Sequence, residues 1–154
     1  MQICITDWKG KSYNMGLERT LVIVKPDGMQ KNLTGVILQR FTQANLRPIA
    51  SKMMQLTEAI LRDHYDFLTD KPFFPDILSY MQQCPVMLWV LEGENAITKV
   101  RELLGPTDSK LAPKGTIRGD FGVDKSTNVV HASDSPASAQ KEIVRFFKKE
   151  EIFG

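Results

Sequence analysis

A chain of 154 residues holds one domain and not two. Its 42% hydrophobic and 25% charged residues exclude a disordered tail. Twenty Lys and Arg against eighteen Asp and Glu, a net charge of +2, exclude a broadly basic surface for nucleic acid or membrane, while leaving room for a local basic pocket.

Cys4 and Cys84 make neither a disulfide scaffold nor a zinc spacing. No apolar run reaches the ~18 residues of a membrane span. Asp7 and Lys9 interrupt any signal-peptide profile, so a reducing, cytoplasmic setting is expected.

Met1 to Gly16 has few periodic apolar positions and reads as an extension, appended or disordered, or as the stretch before an alternative start at Met15. Arg19 to Lys25 is a nearly continuous aliphatic run, the mark of a buried strand. Pro26-Asp27-Gly28 then reads as a turn. Val36, Ile37, Phe41 and Ala44 give Thr34 to Leu46 a helical period, ended by Asn45. Arg47 to Leu56 resumes as strand. Thr57 caps a helix carrying Ile60, Leu61, His64 and Leu68. Two prolines break Lys71 to Pro75, and a short helix follows over Asp76 to Gln82.

Pro85 to Glu92 is a third strand, and Glu94 to Leu104 a helix stopped by Gly105. Pro106 to Val123 reads as a loop, long enough to hint at function. Thr127 to His131 is a short strand, and Ser135-Pro136 opens a last helix. Strands and helices alternate. The order predicts an α+β fold of the ferredoxin-like βαββαβ type, a four-stranded antiparallel sheet covered by helices.

Of the two histidines, His64 lies in an apolar helical stripe and reads as a packed residue. His131 ends a strand among small neighbours, where a neutral imidazole is approachable and nucleophilic. Glu142 falls on or beside the buried stripe of Ala139, Ile143 and Phe146. It is either a rim carboxylate in water or one turned inward toward a partner such as His131 or Ser133. Lys25 ends the first strand, Arg101 edges a helix stripe, and Arg118 sits among glycines; singly each is a surface charge. Together with a nucleophilic histidine they sketch a polyphosphate site. Gly10-Lys11-Ser12 fails as a phosphate-binding loop because Ile5 stands at the leading glycine. Asp120-Phe121-Gly122 lacks any accompanying protein-kinase signature.

Asn128-Val-Val-His131-Ala-Ser133-Asp-Ser135 resembles the active-site signature of the nucleoside diphosphate kinase family. Thr20 to Gly28, Lys71 to Pro75 and Gly115 to Phe121 resemble further blocks of that family, in the same order. The resemblance runs from about Glu18 to Ile152. It implies an extension over residues 1–17 and a kinase domain over 18–154. It implies transfer of a γ-phosphate, typically from ATP, to a nucleoside diphosphate through a phosphohistidine on His131, with Ser133 and Glu142 orienting the ring. It further implies that Lys25, Tyr65, Arg101, Thr107, Arg118 and Asn128 meet phosphates, sugar or the transferring group. Phe73 would stack on the base. Mg2+ would travel on the nucleotide phosphates with no protein ligands of its own. The partners implied are nucleoside triphosphates and diphosphates (ATP, GTP, GDP) and further copies of the chain, as a tetramer or hexamer. Ser109 departs from a frequent proline in a loop that packs subunits, and Ala132 from a frequent glycine. An RNA-binding sheet is disfavoured, since its aromatic strand motif is lacking.

Overall fold

The computed structural model describes residues 16–154. The expected extension over residues 1–17, with Gly10-Lys11-Ser12 in it, lies outside the described residues except for Gly16 and Leu17.

Strands β1 (Leu17–Val24), β2 (Arg47–Met54), β3 (Val86–Glu94) and β4 (Val130–Ala132) form one sheet in the order β2-β3-β1-β4. All three neighbouring pairs are antiparallel. Among the described residues, seven α-helices accompany them: α1 (Pro26–Gln30), α2 (Thr34–Gln43), α3 (Glu58–His64), α4 (Phe74–Met81), α5 (Ala96–Leu104), α6 (Ile117–Phe121) and α7 (Pro136–Phe146). The core β1-α2-β2-β3-α5-β4 is the ferredoxin-like arrangement that the element order predicts.

β1 reads as an unbroken apolar run because helices cover both faces of the sheet. Leu21 and Ile23 enter a core with Leu88, Val90, Leu61 of α3, and Ile143 and Phe146 of α7. Val22 and Val24 enter the opposite core with Trp89, Leu91, Ile37 and Phe41 of α2, and Val100 and Leu104 of α5. The two-residue period of a strand survives in which core each side chain joins, and not in polarity.

The expected caps form. Thr57 Oγ1 accepts from the Ile60 N–H at 3.3 Å, and Ser135 Oγ from the Ser138 N–H at 3.1 Å. Gly105, at φ +80, ends α5. At the other end of α5 the Glu18 carboxylate accepts from the Ile97 N–H at 2.8 Å, a cap supplied by β1.

Four expectations are corrected. Pro26-Asp27-Gly28 is the first turn of α1, since proline suits the first helical position and the Lys25 carbonyl accepts the Met29 N–H at 3.0 Å. The stretch from Pro106 to Val123 contains a 3-10 turn, Ser109–Leu111, and α6, a helix of one turn too short for a period to show. Thr116 caps α6 by accepting the Gly119 N–H. The helix from Thr34 stops at Gln43, ahead of Asn45 at φ +61. The helix from Thr57 stops at His64, leaving Leu68 in a 3-10 turn. Among the described residues, no helix is long and apolar enough to cross a membrane.

Candidate active site

β4 pairs with β1, setting His131 opposite Ile23. The next residue but one, Ser133, is locked to β1 twice: its N–H donates to the Leu21 carbonyl at 3.1 Å, and its Oγ accepts from the Leu21 N–H at 3.2 Å. α7 runs back over this corner and turns Glu142 inward. One carboxylate oxygen lies 3.1 Å from His131 Nε2 and accepts from Ser133 Oγ at 2.7 Å. Burial raises the Glu142 pKa, but the hydrogen bonds from His131 and Ser133 outweigh it and hold the group below its ordinary value. An ionised carboxylate only accepts, so Nε2 carries the ring proton and Nδ1 keeps the lone pair.

His64 stands edge-on to this ring, with centroids 4.7 Å apart. It is buried, as the helical stripe predicts, and burial, followed by the neighbouring His131, pushes its pKa down to about 3. The Arg145 guanidinium, itself paired with Asp63, lies 3.3 Å from His64 Nδ1. Ligand atoms of His64, His131 and Glu142 all lie within 4.8 Å of one another, a donor set of the kind zinc takes. Arg145, however, can only donate. It places the His64 proton on Nε2, which then offers an N–H and not a lone pair.

Asn128 precedes a tight turn into β4. Its side chain donates to the Thr107 and Lys125 carbonyls, both at 2.9 Å, and accepts from Lys25 Nζ at 2.9 Å. Lys25 also donates to the Ser126 carbonyl at 2.6 Å, which leaves one ammonium N–H for a ligand. Burial lowers its pKa from 10.5 to about 8, opposed by Asp27 and assisted by Arg118.

The Arg118 guanidinium donates to the carbonyls of Asn128 (3.3 Å), Gly105 (3.2 Å) and Val130 (2.7 Å). Of its five N–H groups two remain. Burial, then Arg101, lowers its pKa to about 10. α6 approaches closely enough that a Cβ on Gly119 would lie 2.0 Å from the Pro113 carbonyl oxygen, which is why glycine flanks Arg118.

Arg101 and Thr107 are exposed. A cleft of about 600 Å³ opens beside Arg101, between α5 and the Gly105 to Thr116 segment, with Asp134 on its wall. Phe73 caps α4 and leaves 48% of its surface to solvent. The Tyr65 ring lies against His64 at 4.6 Å, and burial, then Glu142, pushes its hydroxyl up to about 12. His131, Ser133 and Glu142 therefore form one hydrogen-bonded cluster, and Lys25, Asn128 and Arg118 a second, joined to the first through the β4 backbone, whose Val130 carbonyl Arg118 holds. Tyr65 joins the first through His64, whereas Phe73 and Thr107 present no side-chain hydrogen bond to either among the described residues.

A sequence model of the nucleoside diphosphate kinase family matches residues 18–152. The chain belongs to the nucleoside diphosphate kinase family. A nucleoside diphosphate kinase of Staphylothermus marinus is 48% identical over 138 residues, 90% of this chain and 98% of that protein. One from Coxiella burnetii is 49% identical over 139 residues, 90% of this chain and all of that protein. Among solved structures, the nucleoside diphosphate kinase of Halobacterium salinarum in complex with CDP superposes with a TM-score of 0.87 at 40% identity, covering 90% of this chain and 93% of that one. The enzyme from Aquifex aeolicus gives 0.83 at 48% identity, covering 89% and 99%. The fold is therefore that of nucleoside diphosphate kinases.

Within that family fold, three parts of the network escape sequence reasoning. Asp27 reads as a turn residue, yet it accepts from Tyr80 Oη at 2.5 Å and from the Val129 N–H at 3.0 Å. Val129 carries φ +74, which no residue-type rule foretells for a β-branched side chain. Arg145 looks like one more charge on a surface helix, and only α7 packing on α3 brings it to His64. The Pro-Asp-Gly run is the one local signal, and it points to Asp27 alone.

Proposed function

We propose that the protein is a nucleoside diphosphate kinase that moves a γ-phosphate from a nucleoside triphosphate, typically ATP, to a nucleoside diphosphate in two half-reactions through a phosphohistidine on His131. The observation that carries this reading is the Glu142 oxygen on Nε2, which leaves the Nδ1 lone pair as the nucleophile.

In the first half-reaction Nδ1 attacks the γ-phosphorus. An N–P bond forms, the bond to the β,γ-bridging oxygen breaks, and the nucleoside diphosphate leaves with the electron pair. The imidazole becomes cationic, and the Glu142 carboxylate beside Nε2 stabilises that charge without taking the proton. The second half-reaction reverses these steps with another diphosphate. Phosphoryl transfer asks for positioning and charge neutralisation more than for covalent help. Lys25, Arg101 and the two remaining N–H groups of Arg118 supply positive charge, and the Tyr65 hydroxyl and Thr107 would meet the phosphates or sugar. Asn128, with both amide N–H groups engaged, holds Lys25 through its oxygen, which keeps one lone pair for a substrate hydroxyl. Mg2+ would arrive with the nucleotide and neutralise phosphate charge there. Glu142 and Asp27, the carboxylates of the network, are already committed to protein donors.

Phe73 would stack on the base. A π-face is common to every base, which gives tolerance toward ATP, GTP, GDP and others. The CDP bound to the halobacterial relative supports nucleoside diphosphates as one substrate class. The cytoplasm, where such nucleotides are dissolved, is the setting that goes with this function.

The test is to mix the protein with γ-labelled ATP and Mg2+ and no acceptor. Label is expected on the protein, lost in acid, kept in base, and chased by GDP into GTP. His131→Ala should take no label while still binding nucleotide, and EDTA should stop labelling. A protein that binds nucleotide but stays unlabelled is a binding module and not this enzyme.

A further inference from the structure

We propose that Asp27 is a positioning residue, whose carboxylate holds Val129 in a left-handed turn and thereby fixes Asn128 on one side and His131 on the other. The proposal rests on the histidine-relay reading above.

Among the described residues, four other than glycine have positive φ: Asn32, Asn45, Asn95 and Val129. Asparagine tolerates that region, whereas a β-branched side chain there is strained. At Val129 the strain is part of a three-residue turn, closed by the Val130 N–H on the Asn128 carbonyl at 2.8 Å. Such a conformation persists only where its surroundings over-determine it.

Here every side of the turn is held. The Lys25 N–H donates to the Val129 carbonyl at 2.8 Å. Arg118 holds the carbonyls of Asn128 and Val130. The Val129 N–H points away from the β1–β4 ladder, and Asp27 Oδ2 accepts it at 3.0 Å. Asp27 is buried, and its other oxygen accepts from Tyr80 Oη, so the clamp is itself fixed. A Cβ on Gly28 would lie 3.1 Å from the Val129 carbonyl oxygen and from Val129 Cγ1, so the turn is pressed against α1.

Glycine would take this φ without strain, yet the Val129 side chain is fully buried in the core beneath α2 and α5. The chain therefore combines a core-filling residue with a backbone shape that residue resists, and Asp27 reconciles the two. Without the clamp Val129 relaxes toward negative φ, and the register between Asn128 and His131 changes. An error of about 1 Å in the position of a reacting group costs on the order of a hundredfold in rate.

A double-mutant cycle tests this, with wild type, Asp27→Ala, Val129→Gly, the double variant, and Asp27→Asn. The readouts are the single-turnover rate of label appearance per folded molecule, the nucleotide Kd and the urea midpoint. Asp27→Ala should slow labelling by about tenfold or more, with Kd changed by less than about threefold. In the Val129→Gly background the same change should cost less than about threefold, because glycine needs no clamp. Asp27→Asn should keep most of the rate, since its amide oxygen accepts the Val129 N–H while its NH2 faces the Tyr80 oxygen. An Asp27→Ala chain that folds only together with Val129→Gly also supports the clamp.

Equal losses with and without Val129→Gly overturn it, as does a chain that folds in neither background. Asp27→Asn as slow as Asp27→Ala overturns it too, and makes the charge beside Lys25 the reason for Asp27. A labelled wild type with additive losses sinks the clamp alone. An unlabelled wild type sinks the relay and this role with it.

Discussion

Lys25 shows how burial tunes a cation that the proposed chemistry needs charged. With a folded pKa near 8, its charge costs stability below that pH; between 8 and 10.5 the folded chain releases the proton before the unfolded one does, so this cost lifts as pH rises. Activity should run the other way, with kcat falling above about pH 8. Lys25→Arg should lower the rate but remove that alkaline limb, which a pH profile would register. His64 works from the opposite side. Held neutral down to about pH 3 against an ordinary 6.5, it binds fewer protons when folded, so its contribution drains away as pH falls through that interval. His64→Gln should therefore flatten the acid side of a plot of urea midpoint against pH. At this scale the sequence carries much: His131, its small neighbours and the inward option for Glu142 are legible from spacing. What is not legible is the use of each group. Arg118 spends three donors on backbone and Asn128 both its amide N–H groups, because the partners are carbonyls brought in by the fold.

Short elements decide where those side chains sit, and they are also the elements that periodicity misses. α1 and α6 have five residues each, too few for a hydrophobic stripe, whereas α2, α5 and α7 announce themselves by theirs. α6 is built on contact rather than propensity: Thr116 caps it, Arg40 of α2 ties it down through Asp120 at 2.6 Å, and Gly119 lets it touch Pro113. Gly119→Ala should displace α6 and with it Arg118. We expect a loss of about 2 kcal/mol or more in unfolding free energy, and transfer reduced beyond the folded fraction. The Gly105 to Gly122 stretch also encloses Ser109. Its hydroxyl is buried under Gly122 with no hydrogen-bond partner among the described residues, and a Cβ on Gly122 would lie 2.0 Å from it. β4 begins at Val130, later than the Thr127 of the apolar pattern, because Val129 cannot lie in a ladder at φ +74.

The whole molecule is a sheet with two cores. β1 and β3 supply both, so their sequences lose the polar alternation that would mark one wet face. The alternating order of elements was enough to predict the sheet and its covering, since connections this short leave few topologies. Assembly is a different matter. β2 is an edge strand whose outer side receives one backbone bond among the described residues, from the Phe153 N–H to the Ile49 carbonyl, and Met53 on it is 56% exposed. Stable proteins pair, cover or blunt an edge of that kind. We expect a homo-oligomer, tetramer or hexamer, by light scattering, and Met53→Lys should reduce its mass.

In the proposed relay, the position of β1 would also govern how long the phosphohistidine survives. Leu21 to Val24 are wholly inaccessible to solvent and bonded on either side, so this strand belongs to the last region to breathe open. His131 and Ser133 are fastened to that strand. Under that proposal a phosphoryl group held on His131 would meet water through the mouth of the site and not through fluctuations of the wall behind it. Its idle loss would then be set by water entering at that mouth, and the captured phosphate would outlast a brief shortage of diphosphate.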